Sequence, residues 1–316
     1  MWPENASLWG ANVSAGLTEH GGAVLAEHGK YYAAETWAKI GSAAKNSVAC
    51  GELTVYADND STQRDIMTAT AFMSGMLPQC ILTIQHDKPM TDHLFNQGGV
   101  NATETCAGMP EEEIVASTLV GNSIGKLART NRDIIGDLND AIGCCTDAVC
   151  AAATPPPAAG NCTLMDVGAA DYAKANFWSL YNGTLDSASN LAEFVQLLYL
   201  NNMPTDVVVP GLDAYHIGRL TRIHQLNMEI TDGNRWVARS FGSDLLAHIT
   251  ATMQQLLHGT EIPTLRSKPA DKMVYYAGHD ISAHLHRIAT PGATPRTATP
   301  RHVAVPTAVT TRALSQ

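Results

Sequence analysis

A histidine and an aspartic acid directly follow a short apolar run near the end of the sequence. The run Met273-Val-Tyr-Tyr breaks at Ala277-Gly278, and His279 and Asp280 come next. An apolar and aromatic run that stops at small residues predicts a buried strand of an α/β sheet. Ligands of such sheets bind beyond the carboxyl ends of the strands, where an imidazole could donate to an oxyanion and a carboxylic acid could deliver a proton. The alternative is a strand that ends in two ordinary polar turn residues.

Arg64 follows a second predicted strand and is the first arginine of the chain. Residues 52–58 alternate well enough to predict that strand, and the polar turn 59–63 leads from it to Arg64. A guanidinium fork at the carboxyl end of a strand could bind a phosphate or a carboxylate. The alternative is an exposed arginine at the start of a surface helix.

The segments around Arg64 predict a βαβ unit. We expect a helix over about 65–76 and a further strand over 81–86, an order that favours a mostly parallel sheet. Upstream we expect a helix over about 23–44 with Thr18 as its N-cap. The expected inward positions of the two helices are Val24, Leu25, Tyr31, Tyr32 and Trp37 in the first, and Ile66, Ala69, Phe72 and Met73 in the second.

The middle of the chain has helical periodicity, in the segments 111–138, 169–182, 187–201 and 211–258. In 187–201 the expected inward residues are Phe194, Leu197, Leu198 and Leu200. We therefore predict an α/β fold, a mostly parallel sheet flanked by helices, with a mainly helical inserted domain. The predicted limits are 1–106 and 225–287 for the two parts of the α/β domain, 107–224 for the insertion and 288–316 for a low-complexity tail.

The composition of the whole chain excludes several classes of protein. Its formal net charge is −10, and no basic run precedes the C-terminal tail, so a nucleic-acid surface is not expected. No apolar stretch reaches the about 18 residues of a membrane span. The tail has no acidic or aromatic residue and repeats Ala-Thr-Pro, a composition that does not form a core. A disordered basic tail and an out-of-frame 3′ translation would look the same.

Sequons and cysteines favour a secreted or lumenal glycoprotein. The sequons begin at Asn5, Asn12, Asn59, Asn101, Asn161 and Asn182, and the seven cysteines fit neither a zinc pattern nor a Cys-x-x-Cys redox motif. We therefore predict no metal and no cofactor. The first residues carry neither the basic nor the apolar region of a signal peptide. Either the protein is cytosolic and the sequons are idle, or the true N-terminus is missing; we expect the second.

Four features together resemble the histidine acid phosphatases, in particular the phytase and glucose-1-phosphatase branch. They are Leu17-Thr18 followed by Gly21, the turn 57–64 that ends in Gln63-Arg64, Leu77-Pro78 after the helix, and Ala277-Gly278-His279-Asp280. The resemblance covers about residues 2–283 and includes the helical insertion. The His-Asp pair is the more specific motif. The turn departs from the family by extra residues before Gln63 and by Asp65, where the family usually has Thr.

The resemblance implies hydrolysis of phosphomonoesters, inositol phosphates among them, through a phosphohistidine intermediate. By position, Arg64 and His279 would bind the phosphate and Asp280 would protonate the leaving alcohol. His216 and Arg235 lie where the family has side chains that contact substrate. For His216, the alternative is a histidine on a helix face or in the core.

The largest departure is that the sequence contains no Arg-His-Gly, the motif that carries the family's nucleophile and two phosphate-binding arginines. His20-Gly21 and His28-Gly29 follow Glu and fall in a predicted helix rather than after a strand. We therefore expect the nucleophile strand to lie upstream of Met1, the chain to be truncated at both ends, and the polypeptide as given to be inactive. A non-catalytic protein that binds phosphorylated ligands is the alternative.

The resemblance also implies disulfides. We expect Cys50 to pair with Cys80, and one bridge among Cys144, Cys145, Cys150 and Cys162, with Cys150–Cys162 preferred. Cys106 would be unpaired, because its family partner lies near a C-terminus that this chain does not share.

Overall fold

The computed structural model describes residues 16–37, 39, 49–59, 63–95, 123–145, 162–166, 169–170, 181–203, 212–231 and 235–279, by backbone alone at 169–170, 182 and 235–241. The described residues form two compact units, an α/β unit within 16–95 and 238–279 and a helical unit within 123–237. None of the described helices is long and apolar enough to cross a bilayer.

The described elements in chain order are α1 (Glu19–Tyr31), a π-helical turn (Tyr32–Trp37), β1 (Leu53–Ala57), α2 (Arg64–Met76), β2 (Ile84–Gln85), α3 (Lys88–Phe95), α4 (Ile124–Thr130), α5 (Arg132–Ile142), a 3-10 turn (Leu164–Asp166), β3 (Ala169–Ala170), β4 (Asn182–Gly183), α6 (Thr184–Leu200), α7 (Ala214–Thr231), α8 (Arg235–His258) and β5 (Met273–Ala277).

The centre of the α/β unit is a parallel sheet of three strands in the order β2-β1-β5. β1 is the middle strand although β5 follows it by more than 200 residues, so the helical segment interrupts a single sheet. Strands β1 and β5 match their sequence predictions closely. The predicted strand 81–86 is shorter in the structure, since only Ile84 and Gln85 pair with β1, and Ile81 is fully exposed. The predicted α/β fold with a mostly parallel sheet flanked by helices is confirmed.

Helices cover both faces of this sheet, because successive strand side chains point to opposite sides. Val55 and Tyr275 face α1 and α2, where the Tyr275 ring stacks on Phe72 at a centroid distance of 4.8 Å. Tyr56 and Tyr276 face α3 and α8. The Tyr56 hydroxyl accepts hydrogen bonds from the backbone N–H groups of residues 266 and 267, which fixes the loop before β5. The sheet therefore lies in a core of three layers.

Two glycines let α1 and α2 pack backbone to backbone. A Cβ at Gly29 would lie 2.1 Å from the carbonyl oxygen of Phe72, and one at Gly75 would lie 1.8 Å from that of Ala26. Thr18 caps α1 as predicted, since its hydroxyl accepts from the Gly21 N–H at 2.9 Å.

This glycine contact corrects the predicted inward face of α1. Val24 and Tyr31 were expected inside, but they are 52% and 64% exposed, whereas Tyr32 is buried. The helix also begins at Glu19, before the predicted start at residue 23, and becomes a π-helical turn after Tyr31. The face that meets α2 is centred on Gly29, and a pattern of large apolar residues cannot reveal it.

The helical unit packs α4, α5, α6 and α7 around one apolar core. Its fully buried members include Ile124, Ile135, Leu138, Leu185, Val195 and Ile223. The helix predicted over 111–138 ends at Thr130 and resumes at Arg132, and residues 111–122 lie outside the described part. The prediction of a helix over 169–182 is wrong at both ends, where the structure has the antiparallel strands β3 and β4. Leu200, expected inside, is 58% exposed in the last turn of α6.

The disulfides follow the prediction in part. Cys50 is bonded to Cys80, as expected, and joins the loop before β1 to the segment after α2. Cys144 and Cys145 are bonded to each other. This bridge lies within the set of four cysteines for which one bridge was expected, but it is not the preferred pair Cys150–Cys162. Cys162 is disulfide-bonded. Cys106 and Cys150 lie outside the described residues, so the predictions made for them stay predictions.

Candidate functional site

The carboxyl ends of β1 and β5 lie side by side. The two strands pair in parallel with Ala57 opposite Ala277, and the N–H of Asp58 donates to the carbonyl of Ala277 at 3.0 Å. This register brings Asp58, the first residue after β1, next to the turn that carries His279. Residues more than 200 positions apart in sequence therefore share one edge of the sheet, the edge where ligands of parallel sheets bind.

The first turn of α2 supplies the other side chains at this edge. Arg64 begins the helix, Asp65 follows it, and Gln63 before them has a left-handed backbone conformation with φ of 54°. A non-glycine residue in that conformation costs of order 1 kcal/mol, and such strain is often kept where it aims functional groups. The N-terminus of a helix carries partial positive charge, and Arg64 adds a full positive charge beside it. The N-terminus of α2 is therefore suited to bind an anion.

His279 lies between two buried carboxylates. Its Nδ1 is 3.0 Å from Asp65 Oδ2 and 3.8 Å from Asp58 Oδ2, and the exposed fractions of the His279, Asp65 and Asp58 side chains are 8%, 4% and 2%. The charge of Asp65 also reaches β5, where burial and then this carboxylate raise the pKa of Tyr275. Asp58 and Asp65 were not predicted as site residues, although Asp58 directly follows β1 and Asp65 directly follows Arg64 in the sequence.

The same three side chains could also share a divalent cation. One ligand atom from each of Asp58, Asp65 and His279 lies within 4.8 Å of the others. Two carboxylates and an imidazole are donors that several divalent metals accept.

Two further contacts fix the loops of the site. Gly278 packs against the buried ring of Phe95 in α3, since a Cβ at Gly278 would lie 2.6 Å from Phe95 Cδ1. The Asn59 side-chain amide donates to the carbonyl of His86 at 2.8 Å and ties the loop after β1 to the loop after β2. Gly278 therefore lets the turn with His279 pass close to α3.

The residues predicted from the sequence have different outcomes. Arg64 and His279 lie on two elements that meet at the carboxyl edge of the sheet. Asp280 lies outside the described residues. His216 lies in the helical unit, in the first turn of α7, where its backbone N–H donates to Asp213 Oδ1 at 2.9 Å and its ring Nδ1 lies 2.7 Å from the same oxygen. Arg235 is the first residue of α8, described by its backbone alone. The roles predicted for these residues stay predictions.

No protein-family model and no curated protein matches the chain, but solved structures do. The Hafnia alvei phytase in complex with tartrate aligns with a TM-score of 0.71 at 21% identity, over 91% of this chain and 68% of the phytase. The Citrobacter braakii phytase aligns with a TM-score of 0.70 at 20% identity, over 91% and 68%. The Hafnia alvei phytase in complex with myo-inositol hexakis sulphate aligns with a TM-score of 0.67 at 20% identity, over 91% and 67%.

These structures show the fold. The α/β unit with its helical insertion is the architecture of phytases, as the sequence resemblance implied. At about 20% identity the alignment shows a shared fold and not a shared activity. The chemistry of the site is therefore argued from its described residues.

Proposed function

We propose that this chain belongs to the histidine acid phosphatase family and is built to bind and hydrolyse phosphomonoesters, with inositol phosphates among its candidate ligands. The observation that supports this most directly is the parallel register of β1 and β5. It brings His279 to the edge of the sheet at which α2 begins with Arg64. The phytase fold supports the same proposal, because in that fold the motifs quoted from the sequence have a defined chemistry.

In the proposed site, Arg64 and His279 bind the phosphate and Asp280 protonates the leaving alcohol. Phosphoryl transfer depends mainly on positioning and on neutralising the charge of the transferred group. A guanidinium and a helix N-terminus supply positive charge, and a histidine ring supplies an N–H donor. Asp280 is adjacent in sequence to His279, so one turn after β5 would deliver both the anion donor and the acid. His216 and Arg235 are proposed as further contacts to substrate. No step of this scheme needs a metal or a cofactor.

Turnover by these 316 residues is expected to be very low, because they contain no Arg-His-Gly. A phosphohistidine route needs that nucleophile and the arginines around it. This favours a second candidate function, a non-catalytic protein that binds phosphorylated ligands through Arg64 and His279. The proposed phosphate ligands are present in the sequence whether or not the chain turns over.

Two measurements test the proposal. The first is the hydrolysis of p-nitrophenyl phosphate and phytate at pH 4–6; we expect a rate near background. A clear rate that Asp280→Ala abolishes would refute the expected inactivity and establish the acid. The second is the shift in melting temperature on adding phytate or inorganic phosphate. We expect a positive shift that Arg64→Ala and His279→Ala reduce, and the absence of any shift with either ligand would refute the binding site.

We also propose a secreted or lumenal location and N-glycosylation for the protein in its source, on the basis of the six sequons and the Cys50–Cys80 disulfide. Glycopeptide mapping of protein made in a eukaryotic secretory host tests this, and we expect glycans on at least one sequon. Asn59 is the sequon that we expect to stay unmodified, because its side-chain amide is bonded to His86 at the site.

A further inference from the structure

We propose that Asp58, Asp65 and His279 form a binding site for one first-row divalent cation, such as Mn²⁺ or Zn²⁺. Oδ2 of each aspartate and Nδ1 of the histidine would hold the ion. The sequence analysis predicted no metal, but that prediction rested on the cysteine pattern, and these three ligands include no cysteine. The proposal does not depend on the phosphatase function, because it concerns what the three side chains bind by themselves.

The three ligand atoms lie at separations close to those that one ion requires. Nδ1 of His279 is 3.0 Å from Oδ2 of Asp65 and 3.8 Å from Oδ2 of Asp58, and one ligand atom of each residue lies within 4.8 Å of the others. Nitrogen and oxygen ligands bind such an ion at about 2.0–2.2 Å, so two ligands of the same ion are about 3–4 Å apart. Small side-chain movements are therefore enough to bring all three atoms onto one ion.

The closest pair has the distance of a hydrogen bond without its direction. Oδ2 of Asp65 and Nδ1 of His279 are 3.0 Å apart, yet they form no hydrogen bond with each other. In a hydrogen bond the donor N–H points at the acceptor. Two ligands of one ion are also close together, but each directs a lone pair at the ion and not at the other ligand. The geometry of this pair is therefore that of two ligands.

Three packed elements hold the ligands at the carboxyl edge of the sheet. Asp58 directly follows β1, and its N–H donates to the carbonyl of Ala277 at 3.0 Å. Asp65 lies in the first turn of the 13-residue helix α2, and His279 follows β5 after one intervening glycine. The exposed fractions of the Asp58, Asp65 and His279 side chains are 2%, 4% and 8%. Because the ligands are already ordered, binding an ion costs little conformational entropy, and burial strengthens its attraction to the two carboxylates.

The types of donor indicate the class of ion. An imidazole with two carboxylates suits first-row divalent cations better than Ca²⁺ or Mg²⁺, which prefer oxygen ligands. Three protein ligands leave further coordination positions for water or an anion. A neutral imidazole has one N–H, so a metal at Nδ1 of His279 places that hydrogen on Nε2. The ring then keeps a donor, and a bound ion is compatible with the phosphate contact proposed for His279.

The experiment measures Mn²⁺ binding to the 316-residue protein by the loss of the electron paramagnetic resonance signal of free Mn²⁺. It uses a phosphate-free buffer at pH 7, because metal ligands must be deprotonated. The ligand variants are Asp58→Asn, Asp65→Asn and His279→Gln. Their matched controls are Asp244→Asn and His258→Gln, which change exposed side chains on α8. Thermal melts without metal establish which variants are folded, and three separate variants keep the test decisive should one of them fail to fold.

We expect the parent protein to bind Mn²⁺ and each ligand variant to bind it at least about tenfold more weakly, because even an outer-shell partner of a metal ligand is worth about 10–100-fold in affinity. Both controls should bind like the parent. Zn²⁺ should displace Mn²⁺, since affinity for such donors is higher for Zn²⁺ than for Mn²⁺. Saturating Mn²⁺ should raise the melting temperature of the parent and of the controls, but not that of the ligand variants.

The proposal would be overturned by a parent protein that binds neither Mn²⁺ nor Zn²⁺. Unchanged binding in the folded ligand variants would also overturn it, because the ion would then lie elsewhere. A separate titration with myo-inositol hexakis sulphate, without metal, distinguishes this proposal from the proposed function. Parent protein that binds Mn²⁺ through these ligands but not the anion would support the metal site and refute the phosphate site. Binding of the anion without binding of either metal would do the reverse.

Discussion

Replacing Gly75 by alanine should weaken the α/β unit and displace the helix that carries Arg64 and Asp65. A Cβ at Gly75 would lie 1.8 Å from the carbonyl oxygen of Ala26 and 2.7 Å from its carbonyl carbon. Real Cβ atoms essentially never come within 3.0 Å of another heavy atom, and the obstacle is backbone that no rotamer change can move aside. Helices α1 and α2 must therefore separate by more than about 1 Å.

The expected loss of stability combines two opposing terms. Overpacking of this kind costs about 3 kcal/mol. Alanine in a helix interior is favoured over glycine by about 1 kcal/mol. The free energy of unfolding should therefore fall by about 2 kcal/mol, which lowers the urea midpoint by about 1 M at a typical slope of about 2 kcal/mol per molar.

The assay is urea unfolding followed by the near-ultraviolet signal, which reports on the stacked Phe72 and Tyr275 rings between α2 and β5. Gly22→Ala in α1 is the matched control, because its Cβ would meet its nearest atom at 3.8 Å, an ordinary contact. That variant should be as stable as the parent or slightly more stable. An unchanged or higher midpoint for Gly75→Ala would show that the close packing of α1 and α2 does not fix the position of α2.

Three further changes should have measurable effects. Burial lowers the pKa of His248 to about 4 from its ordinary 6.5. Between pH 6.5 and 4 the unfolded chain therefore binds a proton that the folded chain does not, and the free energy of unfolding should fall by about 1–2 kcal/mol after allowance for partial exposure. In urea titrations, His248→Gln should flatten this pH dependence. Replacing both Cys50 and Cys80, 30 residues apart, by alanine should cost about 3–4 kcal/mol, measured as the difference between oxidised parent and variant; an equal urea midpoint would contradict it. Gly278→Ala should push the His279 turn away from Phe95 and weaken binding of myo-inositol hexakis sulphate by about tenfold. Adding Phe95→Leu to this variant should restore part of the binding. Unchanged binding by Gly278→Ala would show that this packing does not position His279.

Sequence patterns were sufficient for the elements whose signals are local. Thr18 caps α1, because an N-cap needs only a hydroxyl and the three residues after it. β1 and β5 have apolar runs that stop at small or polar residues, and their burial agrees with that pattern. Because such strands belong at the centre of a parallel sheet, the sequence also placed Arg64 and His279 at the carboxyl edge of one sheet.

Features that depend on distant partners were not available from the sequence. Val24 and Tyr31 follow a helical apolar pattern and are nevertheless exposed, because α1 meets α2 through Gly29 and not through its large side chains. Ile81 extends an apolar run, yet it is fully exposed and lies outside the strand. Hydrophobic periodicity is a property of one helix or strand, whereas burial also depends on the element that packs against it.

The site divides in the same way. The sequence shows an arginine after one strand and a His-Asp pair after another, and these residue types predict chemistry on an anion. The contact between Asp65 and His279 joins positions more than 200 residues apart, and it exists because β1 and β5 pair in parallel with Ala57 opposite Ala277. The sequence by itself determined which groups could act on a phosphate. Only the tertiary structure decided which carboxylates lie against the histidine, because that depends on strand register and helix packing.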